Sequence, residues 1–483
     1  MKVEQIYTGC LAEAAYYIES KGEAVIIDPL RETKPYMEML EKRGTKLKYI
    51  LETHFHADFV SGHIDLAKKT GATIVYGPNA ETSYDIYSAK DGEELKVGDI
   101  TIKVLHTPGH TLESTTYLLL DEKGEDYAIF TGDTLFLGDV GRPDLAIKQG
   151  ELTKEDLAGM LYESLRNKIM PLDDDIIVYP AHGAGSACGK NLSSETWGYL
   201  GDQKRSNYAL RKDMSKEEFV KEVTAGLTPP PQYFAKNAMM NKSGYESIDE
   251  VLEKGNVALS PEEFENLVEQ HGALMLDTRN EFDFAKEHIP NSIFIGIDGS
   301  FAPWVGALIT DIEQPIVIVA PEGREEEVVM RLSRVGYDNT LGYLKGGIEA
   351  WKEAGKEVDN VSGVTADELA EKMNGEIDGD ILDVRKPTEY LSQHIKGAIN
   401  FPLDYINSNM DRLEKDKKYF LHCLGGYRSM ITASILKSRG YHDLVDIKEG
   451  WEAIEPSDIE KTEYVCPTTM DQEAIDKAVE AVV

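Results

Sequence analysis

The stretch Thr53-His54-Phe55-His56-Ala57-Asp58-Phe59 sets two alternating histidines and a carboxylate just after an apolar run, Tyr49-Ile50-Leu51. The run reads as a buried strand, so the histidines fall in the loop at its end, where a rigid sheet commonly carries function. Most single histidines merely satisfy a hydrogen bond, but this chain has only eleven, and further fragments follow in order. These are His110 in Thr107-Pro108-Gly109-His110-Thr111, Asp133 in Thr131-Gly132-Asp133-Thr134 and His182 in Pro180-Ala181-His182-Gly183. Two histidines and one carboxylate on an octahedral metal leave positions open, which suits ferrous iron and oxygen chemistry.

Around this loop, short apolar strands alternate with amphipathic helices over the first 240 or so residues. Ala24–Asp28, Thr73–Tyr76, Ile100–Val104, Thr115–Leu120 and Asp175–Tyr179 read as strands, and Ile64–Lys69 and Lys154–Lys168 as helices. The proline run Thr228-Pro229-Pro230-Pro231 and a polar stretch from Asn241 to Gly255 mark the exit from this domain.

The chain has 483 residues and a formal charge of −35. That length allows roughly three domains. The charge argues against nucleic acid or an anionic membrane as partner, since phosphate contacts need a basic surface. The N-terminus lacks a signal-peptide pattern, and no window approaches the roughly 18 apolar residues of a membrane span. Cys10, Cys188, Cys423 and Cys466 lie far apart and form no C-x-x-C pair. A reduced, cytoplasmic setting is the expectation.

The second half repeats itself. Met275-Leu276-Asp277-Thr278-Arg279 returns as Ile381-Leu382-Asp383-Val384-Arg385, and Glu287-His288-Ile289-Pro290 as Gln393-His394-Ile395-Lys396. A period near 105 is domain-sized, so two copies of one α/β domain are expected. Ser260-Pro261-Glu262-Glu263 and Thr365-Ala366-Asp367-Glu368 read as matching helix starts.

The order and context of the histidine fragments resemble the metallo-β-lactamase superfamily. Its two-metal members, such as glyoxalase II, carry another histidine where Phe59 stands, and phenylalanine cannot ligate. The segments Phe136–Asp144 and Gly183–Lys190 are similar to the persulfide dioxygenases. That resemblance implies one Fe(II) held by His54, His110 and Asp133, with Zn(II) as the alternative. It leaves His56, Asp58 and His182 either orienting the ligands or simply holding the loop. Arg142 would pair with an anionic substrate or close a salt bridge with Asp139 or Asp144. Cys188 would meet sulfur substrates near the metal or be plainly buried.

Lys418–His422 reads as a buried strand and Met430–Arg439 as a helix, with Cys423-Leu424-Gly425-Gly426-Tyr427-Arg428 between them. Gly425 and Gly426 let backbone N–H groups turn inward to cradle an anion, while the helix start and Arg428 favour a thiolate at Cys423. This loop resembles that of the rhodanese sulfurtransferases. The first copy has Ala320-Pro321-Glu322-Gly323-Arg324 in its place, with no thiol, and is expected to be inactive.

The expected architecture is therefore α/β. A metallo-β-lactamase αββα sandwich (1–240) leads through a linker (241–255) to a degenerate rhodanese domain (256–355), an active one (360–460) and a tail (461–483). The resemblance implies oxidation of a low-molecular-weight persulfide by O2 to sulfite and thiol, coupled to sulfur transfer among persulfide, sulfite and thiosulfate. The alternative is a zinc thioesterase of glyoxalase II type with sulfurtransferase domains attached. The oligomeric state stays open, a homo-oligomer included.

Overall fold

The computed structural model describes residues 1–146, 152–190, 192–227, 229–375, 377–466, 469–470 and 472–482. The expected exit marker at Thr228 lies outside them. The chain divides into two compact units, Met1–Glu250 with Leu332–Gly336, and Val251–Arg331 with Tyr337–Val483.

The first unit holds two six-stranded sheets. One runs in the order β1 (Lys2–Thr8), β2 (Glu13–Ser20), β3 (Glu23–Ile27), β4 (Lys46–Leu51), β5 (Thr73–Tyr76), β6 (Tyr87–Ser88). The other comprises β7 (Glu94–Val97), β8 (Ile100–His106), β9 (Thr115–Leu120), β10 (Asp126–Gly132), β11 (Ile177–Pro180) and β12 (Gly198–Tyr199), in reverse order from β12 to β7.

The period-two alternation of strand side chains sorts the residues into layers. Tyr16, Ile18, Val25, Ile27 and Leu51 of the first sheet share a core with Val104, Tyr117, Leu119 and Phe130 of the second. Their alternates face outward. Tyr17, Ile26 and Ile50 pack under the helices Lys34–Arg43 and His63–Thr70. Leu105, Leu118 and Ile129 pack under Lys154–Ser164 and Lys216–Thr224. The result is the αββα sandwich expected from the sequence. The expected helix Lys154–Lys168 is α-helical to Ser164 and widens into a π turn over Leu165–Ile169.

Within 241–255 the chain completes a helix, Phe234–Ser243, and forms another, Ile248–Gly255. Ile248 and Val251 are buried.

The second unit holds two five-stranded, fully parallel sheets. The first contains β13 (Ala258–Leu259), β14 (Leu274–Asp277), β15 (Ile293–Phe294), β16 (Ile316–Val319) and β17 (Thr340–Leu344), ordered β13-β17-β16-β14-β15. The second contains β18 (Ser362–Val364), β19 (Asp380–Asp383), β20 (Ile399–Asn400), β21 (Tyr419–His422) and β22 (Leu444–Ile447), ordered β18-β22-β21-β19-β20. Identical strand order in both is the structural form of the internal repeat. Ser260 and Thr365 each close a capping box, with Glu263 and Glu368.

Candidate functional site

Four strand ends of the sandwich deliver the metal-site candidates. His54, His56 and Asp58 follow β4, His110 follows β8, Asp133 follows β10, and His182 follows β11. Gly132 makes the turn before Asp133 possible. Its φ is +51°, and a Cβ there would meet Thr53 Oγ1 at 2.5 Å.

Three imidazoles are locked in one tautomer by what their Nδ1 atoms meet. His110 Nδ1 lies 2.8 Å from the Arg142 carbonyl, and His182 Nδ1 lies 3.2 Å from the Ala12 carbonyl. A carbonyl only accepts, so both Nδ1 atoms donate. His54 Nδ1 lies 3.0 Å from Thr53 Oγ1, whose own hydroxyl donates to Asp28 at 2.8 Å, so the same logic applies. In the neutral ring each Nε2 is then a bare lone pair. His54 Nε2 lies 3.9 Å and His110 Nε2 3.3 Å from Asp133 Oδ2, while His182 Nε2 lies 3.5 Å from Asp133 Oδ1. Neither oxygen of Asp133 has a hydrogen-bond partner.

Buried lone pairs facing a buried carboxylate repel one another unless a cation lies between them. Cis ligands about 2.1 Å from an ion sit about 3 Å apart, so these separations fit a small divalent metal. Burial, and after it the neighbouring imidazoles, push His54 well below its ordinary pKa, which keeps its lone pair free. The ligand atoms of His54, His110 and Asp133 lie within 4.8 Å of one another, as do those of His56, Asp58 and His182.

Phe59 is fully buried and packs its ring on His56, with centroids 4.3 Å apart. His56 Nε2 sits 3.1 Å from Asp28 Oδ1 and 3.7 Å from Glu52 Oε2, close enough for ion pairing although not aligned as hydrogen bonds. Burial opposes a charge on His56, but Asp28, Glu52 and Asp58 outweigh it and raise the imidazole to about 10.

Cys188 is buried, with Sγ within 4.8 Å of ligand atoms of Asp133 and His182. Burial, then the Asp133 and Asp58 carboxylates, push its thiol well up. Arg142 turns its guanidinium onto Asp144, with bonds of 2.6 and 2.7 Å, and onto the Ala187 carbonyl. Its contact with the metal-site histidines runs through its own carbonyl.

Asn241 is a residue that motif reading missed. Its amide donates to the carbonyls of His56 and Phe59, both at 2.8 Å, and accepts from Ser61 N–H at 2.9 Å. Tyr245 donates its hydroxyl to the Ser61 carbonyl. No local signal marks either residue, because their partners lie some 180 positions away.

In the second unit, Cys423 follows β21 and is buried. Gly426 N–H donates to its Sγ at 3.1 Å. The carbonyls of Cys423 and Leu424 accept from Trp451 and Glu452 N–H at 2.8 and 3.0 Å, which turns them away from the thiol. The helix begins at Tyr427 rather than Met430, because Gly426 caps it with φ +106°. Arg428 makes a two-armed bond to Glu389 at 2.7 and 2.8 Å, a partner the sequence did not disclose. Asp383, Arg385 and Trp451 form a frame behind the loop. Arg385 grips Asp383 and lies 4.2 Å from the Trp451 ring centre. The first repeat keeps the matching pair, Arg279 on Asp277, but has Ala320 and Pro321 where the thiol loop begins.

The metallo-beta-lactamase superfamily model matches residues 8–182. The human mitochondrial persulfide dioxygenase ETHE1 is 30% identical over 212 residues, covering 44% of this chain and 74% of that protein. The chain belongs to the metallo-beta-lactamase superfamily. It also carries two tandem rhodanese-like domains, matched over 260–354 and 365–456. A cytoplasmic hydroxyacylglutathione hydrolase of Arabidopsis thaliana is 33% identical over 178 residues, covering 36% of this chain and 65% of that one. The crystal structure of a metallo-beta-lactamase from Staphylococcus aureus covers 71% of this chain and 99% of its own, with 29% identity and a TM-score of 0.64. This metallo-beta-lactamase superfamily chain thus has both hydrolase and dioxygenase relatives. Among the described residues, no helix is long and apolar enough to cross a membrane.

Proposed function

We propose that the N-terminal domain oxidises a low-molecular-weight thiol persulfide, such as glutathione persulfide, and that Cys423 transfers sulfane sulfur among persulfide, sulfite and thiosulfate. The observation that carries the first half is the pairing of the bare His54 and His110 Nε2 atoms with unpartnered Asp133, beside a phenylalanine at position 59. This donor set fits Fe(II), with His54, His110 and Asp133 as the holding residues. When bound, a ferrous ion supplies the electron path between persulfide sulfur and dioxygen that redox-inert zinc lacks.

The overall change balances as RSSH + O2 + H2O → RSH + SO3²⁻ + 2H⁺. The chain's own residues prepare the site. The Arg142 carbonyl and Thr53 hydroxyl hold two imidazoles in the ligating tautomer. His56, Asp58 and His182 cluster together, and fully buried Phe59 packs against His56. Cys188 is buried beside Asp133 and His182.

At the second centre, the Cys423 thiolate attacks the outer sulfur of thiosulfate, forming Cys–S–S⁻ as the S–S bond breaks and sulfite leaves. An acceptor thiolate then takes that sulfur and returns the Cys423 thiolate; when a persulfide RSSH loads Cys423 instead and leaves as RSH, sulfite is the acceptor and thiosulfate the product. Joining the two centres in one chain raises the effective concentration of sulfite at the transferase.

A second reading, a zinc thioesterase, is favoured by the hydrolase relatives and by the cluster of His56, Asp58 and His182. Anaerobic purification, metal analysis and oxygen uptake with glutathione persulfide decide between them. Iron with oxygen consumption is the expected result. Zinc with cleavage of an acylglutathione thioester overturns it. The four free cysteines favour a reducing compartment, and the cytoplasm is the one proposed.

A further inference from the structure

Tyr427 sits between the glycine that touches the Cys423 sulfur and Arg428, yet its side chain leaves its own repeat. Its hydroxyl donates to the Gly296 carbonyl of the degenerate repeat at 2.7 Å. Its ring lies edge-on to Phe294, with centroids 5.8 Å apart. A Cβ on Gly299 would lie 2.3 Å from the Tyr427 ring, and one on Gly296 would lie 3.1 Å from it. Both glycines therefore keep open a slot that this tyrosine fills.

The slot is braced from behind. Ile295 and Ile297 N–H donate to the Asp277 and Thr278 carbonyls, both at 3.0 Å, and Arg331 donates to the Ile297 carbonyl at 2.7 Å. Arg324, from the loop that has lost its nucleophile, reaches Asp298 at 2.7 Å. The arginine of the thiol-free loop thus meets, at the surface, the turn that carries the Tyr427 slot. Two turns further along the same helix, Ser434 Oγ accepts from Phe294 N–H at 2.9 Å.

We propose that Tyr427 is a positioning residue for Cys423, and that the degenerate repeat is for this reason a working part of the sulfur-transfer site. The proposal rests on the reading of Cys423 as sulfur carrier. Tyr427 opens the helix directly after Gly426, the capping residue whose N–H donates to the Cys423 sulfur. Pinning its phenol at Gly296 fixes the rotation of that turn, and with it the 3.1 Å approach of Gly426 N–H to Sγ. An ordered amide cradle stabilises a thiolate and the sulfur anions it exchanges.

The test uses the full chain with Tyr427→Phe, which removes one oxygen, and Gly299→Ala, which crowds the slot. Two quantities are read. One is the pH dependence of Cys423 alkylation, resolved from the other cysteines by peptide mass spectrometry. The other is kcat/KM for sulfur transfer from thiosulfate to cyanide. Tyr427→Phe is expected to move the alkylation midpoint upward and lower kcat/KM about five-fold, the equivalent of one ordinary hydrogen bond. Gly299→Ala is expected to do more, and the double variant no more than Gly299→Ala alone.

An alkylation midpoint within about 0.3 pH unit of the parent, together with kcat/KM within two-fold, overturns the proposal in Tyr427→Phe. That variant adds no atom, so it decides the matter even if Gly299→Ala fails to fold. Should the parent chain show no sulfur transfer, the carrier reading falls, while the alkylation midpoints still judge Tyr427.

Discussion

Asn241 holds the His56 and Phe59 carbonyls with one amide group, donating to both at 2.8 Å from 185 and 182 positions away. The conformation of the histidine loop is therefore set by a helix at the far end of the same unit. Asn241→Ala would strand two buried carbonyls and the Ser61 N–H. A loss of about 1–3 kcal/mol in stability is expected, read as a lower thermal midpoint. Metal content per chain should fall with it, and an unchanged content would detach Asn241 from the metal loop.

Phe59 stands where a two-metal site would need a further ligand, its ring tilted by 34° against His56. Phe59→His adds a donor beside Asp58 and His182. After reconstitution with zinc, elemental analysis of this variant should give up to two ions per chain against one for the parent. Equal stoichiometry in both would mean that the second trio cannot hold a metal even when completed.

The two proposed chemistries have separate nucleophiles and donors. Cys423→Ser should abolish sulfur transfer from thiosulfate while leaving persulfide-dependent oxygen uptake mostly intact. Equal loss of both activities would contradict two independent centres.

Asp446 gives a pH signature unrelated to either metal trio. Burial raises its carboxyl to about 6, the Glu281 carboxylate adds to the rise, and the Ser429 hydroxyl and Lys448 oppose it. An acid whose folded pKa exceeds its unfolded value of about 3.9 binds its proton more tightly when folded. Its contribution to stability is therefore lost as pH rises from about 4 through 6, with a total of about 2–3 kcal/mol. Asp446→Asn should be the more stable protein at pH 7, and the advantage should vanish below pH 4. A constant difference between the two across denaturation curves at pH 4, 5, 6 and 7 would remove this account.

Legibility followed the range of the signal. Alternation within β2, β9 and β10 is local, and it encodes which residues line the inner core and which lie under the helices. The repeat was legible because Asp277 and Asp383 head equivalent arginine clamps in matching contexts. The histidine fragments carried their own strand-end context. Asn241, Glu389 and the Tyr427 slot were hidden for the opposite reason, since each acts through partners distant in sequence. The polarity around Asn241 suggests a solvated linker, whereas that side chain is buried and fully bonded. The helix start at Tyr427 escapes a motif reading because its N-cap, Gly426, has a positive φ and offers no side-chain cap.

His110 and His182 are oriented by acceptors that belong to the main chain, at Arg142 and Ala12. Replacing either of those side chains leaves the acceptor in place, so genetic drift at positions 12 and 142 has little purchase on ring orientation. At His54, by contrast, the orienting atom comes from a side chain, Thr53. Among the three orienting positions, a random-mutation library should therefore record its sharpest intolerance at position 53, one step before the first histidine.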